Sequence, residues 1–503
     1  MKKNIFKPAL LIFLFFCPLL SNAQDTALLK KYVREQFELT ADINLSYHSN
    51  DFYIKRFEKT TKEEPSFEKV EELLDSLKNN YDLNIVFRIA GLYEKLNRKT
   101  LSIQYYNEAK KGYEEKLIQN PADTNAIDAL MMLSLETNDL LKAILYNQKK
   151  LEIAPNDTLA SIAMSSLFLF AGDYTQANIH ADKAIGLYPE IPDSYLYKVM
   201  ALVFPEIFLI QSSANLNAAI GESANFKSDF SFLDKAANNY KENIEVQFSV
   251  LCCKYFTFFY KLLIPYFLNA EPQPPHKIRF KFSDEDLSQL KKYEKEFSVF
   301  LKSKEFKNYY PVYLSHGTIN MLQNNFDESI RDFKKSIQYK DAKYRDAQDN
   351  VADAYSNIIA CYLFMNDSTN AEIWANKKIE DKAAVYNVAT DYVMAGIFKA
   401  VKNDLESGKQ FMYKAIEVDS ACYQAMIQIG NIYLLEDDYK KADQYFNAAY
   451  KLNKDDPAVY YSYILYSLFV KDKSTANSLL NRLLEYNPDN AFAIEIKGIF
   501  LKE

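Results

Sequence analysis

The sequence has few of the residues that build phosphate, metal and nucleophilic sites. Its 503 residues include 10 glycines and 4 histidines. The motifs G-x-G-x-x-G and G-x-x-x-x-G-K-[ST] are both absent, which excludes a glycine-rich phosphate loop. The histidines form no H-E-x-x-H motif and stand beside no second candidate ligand; they are His48, His180, His276 and His316. We therefore expect no catalytic residue, no metal ion and no cofactor.

Cysteine is also scarce. Beyond Cys17 the chain has four cysteines, which are Cys252, Cys253, Cys361 and Cys422. Four cysteines in a chain of this length do not make a disulfide framework, and no C-x-x-C pair is present to bind a metal. Cys252 and Cys253 are adjacent in a helical pattern, so their side chains point about 100° apart and bridge poorly. We expect buried, unreactive thiols.

Positive charge is in the minority. The chain has 60 Lys and Arg against 67 Asp and Glu, a net charge of −7, and no dense cluster of basic residues. A nucleic-acid partner would need such a cluster to neutralise its phosphates. We therefore expect no nucleic acid among the partners.

The first 23 residues have the pattern of a secretory signal peptide. Three lysines accompany an apolar run that ends at Leu20, and the small-residue cleavage site Ser21-Asn22-Ala23 follows. The alternative, an N-terminal membrane anchor, is disfavoured because the apolar run is short and ends in a processing pattern. We expect cleavage after Ala23 and export to the periplasm or cell envelope.

Aromatic residues are abundant, with 38 Tyr and 35 Phe, and they recur at helical spacing. From Gly430, the next positions of one pattern are Tyr433, Ala442, Phe446 and Ala449. A step of 34 residues in either direction repeats it; the earlier copy has Gly396, Gly408, Met412 and Ala415, and the later copy has Ile464, Ala476, Leu480 and Leu483. A fixed period of this length is typical of stacked helix hairpins.

This pattern resembles that of the tetratricopeptide repeat (TPR) family. The family's first helix carries Leu-Gly-x-x-Tyr, its second carries Ala, Phe and Ala, and a proline closes the unit; the segment 423–456 fits, with Lys454 in place of the proline. The resemblance implies an all-α fold, a TPR α-solenoid in which antiparallel helix hairpins form a superhelix. Gly430 is then a helix-packing residue, and Asp437-Asp438 is a hairpin turn rather than a pair of catalytic acids.

Eight units fit the frame, and an irregular helical region interrupts them. The units begin at Leu83, Thr124, Thr158, Tyr310, Ala352, Ala389, Tyr423 and Pro457. We predict a signal peptide over 1–23, an N-terminal helical cap over 24–82, a first TPR array over 83–204, an irregular helical insert with a Pro-rich linker over 205–284, and a second array with a C-terminal capping helix over 285–503.

The insert contains an apolar aromatic stretch, residues 246–268, that approaches the length of a membrane span. Gln247, Lys254 and Lys261 are seven residues apart and share one helix face. A polar stripe on an apolar helix is typical of a helix packed in a soluble protein, and two lysines would be costly in lipid. Membrane contact is therefore an alternative that the sequence does not favour.

The resemblance also implies where a partner would bind. In this family the ligand-facing positions lie on the first helices, at the second, fifth, sixth, ninth, twelfth and thirteenth residues of a unit. The partner-binding residues that follow are Leu314, Met321, Leu363, Phe364, Val393, Ile397, Ile427, Asn431 and Leu434. Some relatives grip a C-terminal carboxylate with Lys, Asn and Arg at such positions; Asn431 matches one of them, but Ile427 stands where lysine would be.

These features favour a non-catalytic scaffold that binds a protein or peptide partner through the TPR groove. The groove residues are apolar, which suits an amphipathic helix or an extended apolar segment. Two alternatives stay open. One is an enzyme or small-molecule binder with a site in the insert, near His276, Lys277 or residues 212–231. The other is a membrane-associated component of an envelope assembly.

Overall fold

A computed structural model describes residues 22–35, 66–96, 98–137, 139–212, 229–269, 275–339, 347–381, 388–453, 456–486 and 490–500. Across these ranges the chain forms 23 α-helices, one 3-10 turn and no β-strand. The predicted all-α repeat fold is confirmed. Residues 1–21 of the predicted signal peptide, with Cys17, lie outside the described residues, as does His48.

The described helices fall into two compact units. The N-terminal unit holds residues 66–269, and the C-terminal unit holds residues 22–35 together with 275–500. The division between residues 270 and 271 coincides with the Pro-rich linker of the sequence.

The N-terminal unit contains ten helices. They are α2 (Phe67–Asn79), α3 (Leu83–Lys95), α4 (Lys99–Gln119), α5 (Thr124–Glu136), α6 (Leu140–Ile153), α7 (Thr158–Ala171), α8 (Tyr174–Leu187), α9 (Asp193–Ser212), α10 (Ser231–Asn239) and α11 (Ile244–Asn269). Three hairpins, α3/α4, α5/α6 and α7/α8, match the three predicted units of the first array.

The C-terminal unit begins with an N-terminal helix, α1 (Asn22–Glu35), and a 3-10 turn (Pro275–Lys277). Its other helices are α12 (Asp284–Lys302), α13 (Tyr310–Leu322), α14 (Phe326–Gln338), α15 (Ala347–Phe364), α16 (Ser368–Glu380), α17 (Val388–Val401), α18 (Leu405–Val418), α19 (Tyr423–Leu435), α20 (Tyr439–Leu452), α21 (Pro457–Phe469), α22 (Lys473–Tyr486) and α23 (Ala491–Phe500). Five hairpins, from α13/α14 to α21/α22, match the five predicted units of the second array.

The hairpin turns are built from two consecutive residues with different tasks. The first adopts a left-handed conformation that ends the first helix; it is Asn403 (φ 63°) and, one period later, Asp437 (φ 62°). The second is an aspartate whose carboxylate caps the next helix: Asp404 accepts from the Ser407 amide at 3.2 Å, and Asp438 from the Lys441 amide at 3.1 Å. Asp, Asn and Gly tolerate these geometries better than other residues. The prediction that Asp437-Asp438 forms a turn is confirmed.

Within each hairpin the helices approach closely because glycine leaves room for a large side chain. A Cβ atom added at Gly430 would lie 2.4 Å from Cε1 of Phe446. Two other hairpins have the same contact between a glycine and the residue sixteen positions later. A Cβ at Gly317 would lie 2.8 Å from Phe333, and a Cβ at Gly396 would contact Met412. These are the packing positions that the repeat pattern predicted.

A second small position lies on the other helix of the hairpin. The alanines at this position are fully buried, and they are Ala143, Ala177, Ala371, Ala442 and Ala476. Gly408 holds the position in the α17/α18 hairpin, where a Cβ would lie 3.3 Å from the Gly396 carbonyl oxygen. Larger side chains here would overpack the interhelix contact, at a cost of roughly 1–3 kcal/mol.

The irregular region of the sequence is helical and belongs to the N-terminal unit. Helix α11 packs against α9 and α10 through an apolar cluster that includes Val199, Leu233 and Cys253. The polar stripe of α11 faces α10: Gln247 Nε2 donates to the Ala237 carbonyl at 2.8 Å, and Lys254 pairs with Asp234. Among the described helices, none combines the length and apolar character that a membrane crossing needs.

The segment predicted as one N-terminal cap contains two described helices, and they lie in different units. Helix α2 packs against α3 in the N-terminal unit, with Val70 and Leu73 in a cluster with Ile89. Helix α1 instead packs in the C-terminal unit. Residues 24–35 therefore have a separate structural role from residues 66–79.

Alanine substitution should change the free energy of unfolding in opposite directions at two glycines of the repeat frame, Gly430 and Gly498. Gly430→Ala should destabilise the chain by about 1–3 kcal/mol because its Cβ would press on the Phe446 ring. Gly498→Ala, at the same frame position on α23, meets no atom within 4 Å and should stabilise by about 0.5–1 kcal/mol through helix propensity. Thermal melting by circular dichroism measures both. A Gly430→Ala variant as stable as the parent chain would contradict the contact.

Candidate interaction face

The candidate site is the surface formed by the first helices of the C-terminal hairpins, α13, α15, α17, α19 and α21. We call it the first-helix face; it carries the frame positions that the TPR resemblance assigns to ligands. The nine predicted partner-binding residues are all buried in the chain; they are Leu314, Met321, Leu363, Phe364, Val393, Ile397, Ile427, Asn431 and Leu434. In this arrangement none of the nine side chains is open to a partner.

Burial of these residues has different causes along the face. Leu363 lies in a cluster with Ala371 and Phe398, and Ile427 lies in one with Val459, so both join neighbouring hairpins. Their burial comes from the scaffold itself. Three other predicted residues, Val393, Ile397 and Leu434, belong to the large apolar cluster that also contains residues of α1. Of these, Leu434 lies on α19, which packs against α1.

At its N-terminal end the face is covered by the segment that precedes α12. The ring of Phe280 lies 5.8 Å from that of Phe364 in an edge-to-face arrangement. The Phe280 amide donates to Asn324 Oδ1, and the Phe280 carbonyl accepts from Asn324 Nδ2, both at 2.9 Å. The Arg279 guanidinium donates to the Phe364 carbonyl at 3.1 Å. Phe364 is thus covered by a segment that follows the Pro-rich linker.

Farther along, the face carries the N-terminal helix α1. This helix packs against α19 and α21, and its Leu29, Tyr32 and Val33 are buried in the same apolar cluster as Ile464 and Leu465 of α21. These three residues stand at positions i, i+3 and i+4 of the helix, so they lie on one helix face. A helix therefore already occupies the part of the face where α19 and α21 lie side by side.

Two polar contacts fix α1 in position. Lys30 Nζ lies 2.6 Å from Asp437 Oδ2, at the turn that follows α19. The Tyr32 hydroxyl donates to Glu495 Oε1 of α23 at 2.7 Å. The hydrogen bond from Lys30 lowers the pKa of Asp437, although burial acts in the opposite direction. Both acceptors are carboxylates, so the face favours a helix that brings donors or positive charge to its edges.

The two helices that carry α1 each contain one unsatisfied polar group. Asn431 and Ser462 are completely buried, and they hold the ninth and sixth frame positions of α19 and α21. Within the described part of the chain, Asn431 Oδ1 and Ser462 Oγ have no hydrogen-bond partner. A buried acceptor without a partner costs roughly 1–3 kcal/mol. These two groups are therefore the polar features of the face that α1 does not use.

The N-terminal unit presents a comparable face without an apolar helix over it among the described residues. Phe170, at the thirteenth position of its unit, is 74% exposed, and Leu135 is exposed at the twelfth position. Ile162, another ligand-facing position of the frame, is buried. The first-helix surface of this unit is therefore apolar at the end near the hairpin turns.

One polar cluster has the connectivity of a catalytic triad. Ser298 Oγ lies 3.1 Å from His316 Nε2, and His316 Nδ1 lies 2.7 Å from Asp332 Oδ2. Asn320 Nδ2 donates to the same carboxylate oxygen at 3.1 Å. Ser298, however, lies inside α12, where backbone amides donate to the helix's own carbonyls and cannot stabilise an oxyanion. The cluster joins α12, α13 and α14 as a half-buried interhelix contact.

The other candidate chemical groups are packed into the scaffold or exposed. All four described cysteines are free and buried, which confirms the predicted thiols, and burial raises the pKa of Cys361 to about 12. His180 stacks on Phe168 with ring centroids 5.4 Å apart, and burial lowers its pKa. His276 is exposed on the 3-10 turn. The described residues contain no group of His, Cys, Asp and Glu arranged to hold a metal.

Sequence reasoning missed the residues on both sides of the α1 contact. Leu29, Tyr32 and Val33 form a helical apolar stripe, but the stripe gives no indication of which helices it packs against. Ser462 and Leu465 follow directly from the 34-residue frame, at the sixth and ninth positions of the unit that begins at Pro457. Extending the frame by one unit would have found them.

Comparison with known proteins agrees with the repeat geometry. Residues 423–456, the α19/α20 hairpin and its closing turn, match the family model for the tetratricopeptide repeat. No curated protein matches the chain significantly.

Two solved structures are similar to parts of the chain. YrrB, a TPR protein with an unusual peptide-binding site, is 17% identical, and the match covers 41% of this chain and 99% of that one with a TM-score of 0.30. The APC/C hetero-tetramer Cut9-Hcn1 is 14% identical over 86% of this chain and 92% of that one, with a TM-score of 0.26. Both scores are low, so neither supports an argument about shared arrangement.

The hairpins, their left-handed turns with aspartate caps, and the glycine–aromatic contacts define an α-helical repeat protein. One hairpin is a tetratricopeptide repeat by its sequence match, and the other hairpins share its arrangement. The chain therefore contains a tetratricopeptide repeat at residues 423–456, within an α-solenoid of similar helix hairpins.

Proposed function

We propose that this chain is a non-catalytic scaffold of the cell envelope, and that a protein partner binds as an apolar segment on the first-helix face of its C-terminal unit. One observation carries the proposal: this face already holds a helix, α1, through buried Leu29, Tyr32 and Val33. A surface that buries a short helix of its own chain has the shape and polarity to bury one from a partner.

The composition of the face supports a protein partner over a small molecule. Its buried side chains at the α1 contact are large and apolar, and the polar groups at its edge are carboxylates. A helix the length of α1 spans about 20 Å, which matches a contact with two adjacent repeats of the array. A helix in a groove, anchored by spaced apolar residues, is a common form of peptide recognition.

The N-terminal sequence supports the location. Its lysines, apolar run and small-residue cleavage site are those of a secretory signal, so the partner would be met in the periplasm or at the cell envelope. Helix α1 begins at Asn22, and cleavage after Ala23 would leave the residues that contact the face, Leu29 to Val33, in the mature chain.

Two matched valines test the face. Val401 ends the first helix α17 and is 50% exposed, whereas Val418 ends the second helix α18 of the same hairpin and is 54% exposed. Val401→Asp should reduce the amount of partner retained from an envelope extract by at least about tenfold, since it puts a charge in an apolar contact. Val418→Asp should leave retention unchanged. Quantitative mass spectrometry of the retained proteins measures both.

Both variants should lower the free energy of unfolding by about 0.3–1 kcal/mol, because each places a carboxylate at a helix C-terminus. Their melting temperatures should therefore fall by similar small amounts. Equal retention by the two variants, or a greater loss with Val418→Asp, would contradict binding through the first-helix face.

The location has its own test. Protein recovered from the envelope fraction of the native host should begin at Gln24, as read by N-terminal sequencing or intact mass. The physical reason is that the small residues before Gln24 form the cleavage site. A chain in the cytosolic fraction that still begins at Met1 would refute export.

A further inference from the structure

We infer that α1 is an internal competitor on the first-helix face, and that the partner segment is a basic amphipathic helix that displaces it and also hydrogen-bonds to Asn431 and Ser462. This inference rests on the proposed function and deepens it by stating the chemistry of the partner. Three features of the α1 contact support it.

The first feature is where α1 sits. It lies on α19 and α21. Asn431 and Leu434 of α19 hold ligand-facing positions of the frame. Its apolar stripe is buried in the cluster that contains Leu434. A partner segment on this part of the face and α1 in its observed position would occupy the same space, so binding of one excludes the other.

The second feature is charge. The groups that hold α1 at its edges are Asp437, which pairs with Lys30, and Glu495, which accepts from Tyr32. A helix with acidic residues at these places would be repelled, whereas one with lysine or arginine beside its apolar stripe would be attracted. The partner helix is therefore basic as well as amphipathic.

The third feature is the incomplete fit of α1. Asn431 Oδ1 and Ser462 Oγ are buried with no partner in the described part of the chain, so α1 leaves available binding energy unused. A short helix also binds weakly on its own, because its order is marginal without packing. A partner helix that carries a hydroxyl or amide over these two groups would satisfy them and bind more tightly than α1.

Displacement can be measured with α1 supplied as a separate peptide. The probe is a fluorescent peptide of residues 24–35, QDTALLKKYVRE, and the receptors are chains that begin at Gln24. In one receptor, Leu29→Asp and Val33→Asp remove the apolar stripe and release the tethered helix. Fluorescence anisotropy should show saturable binding to this released chain with a Kd at or below about 0.1 mM, which is a tenth of an effective concentration of about 1 mM for a tethered segment.

The unmodified chain should bind the peptide at least about tenfold more weakly, because the tethered helix competes at high effective concentration. The Arg34→Asp chain is the matched control: its changed side chain is exposed on α1, so the tethered helix stays in place and excludes the peptide. A peptide with Val33→Asp should not bind. Equal binding to released and unmodified chains, or no binding to the released chain, would overturn the inference. So would exchange of α1 between two copies, seen as dimers by light scattering.

Ser462→Ala in the released chain tests the polar groups. Because α1 does not pair with this hydroxyl, peptide binding should be unchanged or tighter. Weaker binding would show that α1 hydrogen-bonds to Ser462, and it would overturn the inference that this hydroxyl is left for the partner. The outcomes also separate this inference from the proposed function. If the peptide fails to bind while Val401→Asp still abolishes partner retention, the face binds a partner but α1 is not its competitor. If both fail, neither proposal stands.

Discussion

The close approach of the two helices in each hairpin is the constraint on which the rest of the structure depends. At Gly430 there is no room for a Cβ, since Phe446 fills that space, and Ala442 faces the same contact from the second helix without exposed surface. Each hairpin then presents one apolar side to the next, and stacking buries it. The geometry repeats because its small residues repeat.

This constraint also creates the interaction face. When the second helices pack the hairpins together, the first helices are left side by side with one surface in common. In the C-terminal unit the chain covers parts of that surface with its own segments, Phe280 over Phe364 and α1 over α19 and α21. The scaffold and the candidate binding surface both follow from this packing rule, whereas the identity of the segment or partner that lies on the surface does not.

The sequence predicted the scaffold but not which segments cover the predicted site residues, and the reason is physical. Contacts inside a hairpin join residues sixteen apart, such as Gly317 and Phe333, so a short-range pattern encodes them. The turn at Asp437 and Asp438 could also be predicted from the sequence, because only a few residue types favour a left-handed backbone conformation followed by a helix N-cap. The contact of Lys30 with Asp437 spans 407 residues, and no periodicity records a docking of that kind. Ligand-facing positions could be listed from the frame, but not which of them are covered.

The proposed role of the first-helix face depends most directly on α1 lying on that face of its own chain. A zero-length carbodiimide reagent joins an amine to a carboxylate only when the two are in contact, as Lys30 Nζ and Asp437 Oδ2 are at 2.6 Å. Cross-linking of a dilute chain, followed by mass spectrometry, should recover a Lys30–Asp437 linked peptide that disappears with Lys30→Gln and with Leu29→Asp plus Val33→Asp. A mixture of isotopically light and heavy chains should give only light–light and heavy–heavy links. Absence of the link, or mixed links between chains, would contradict the account.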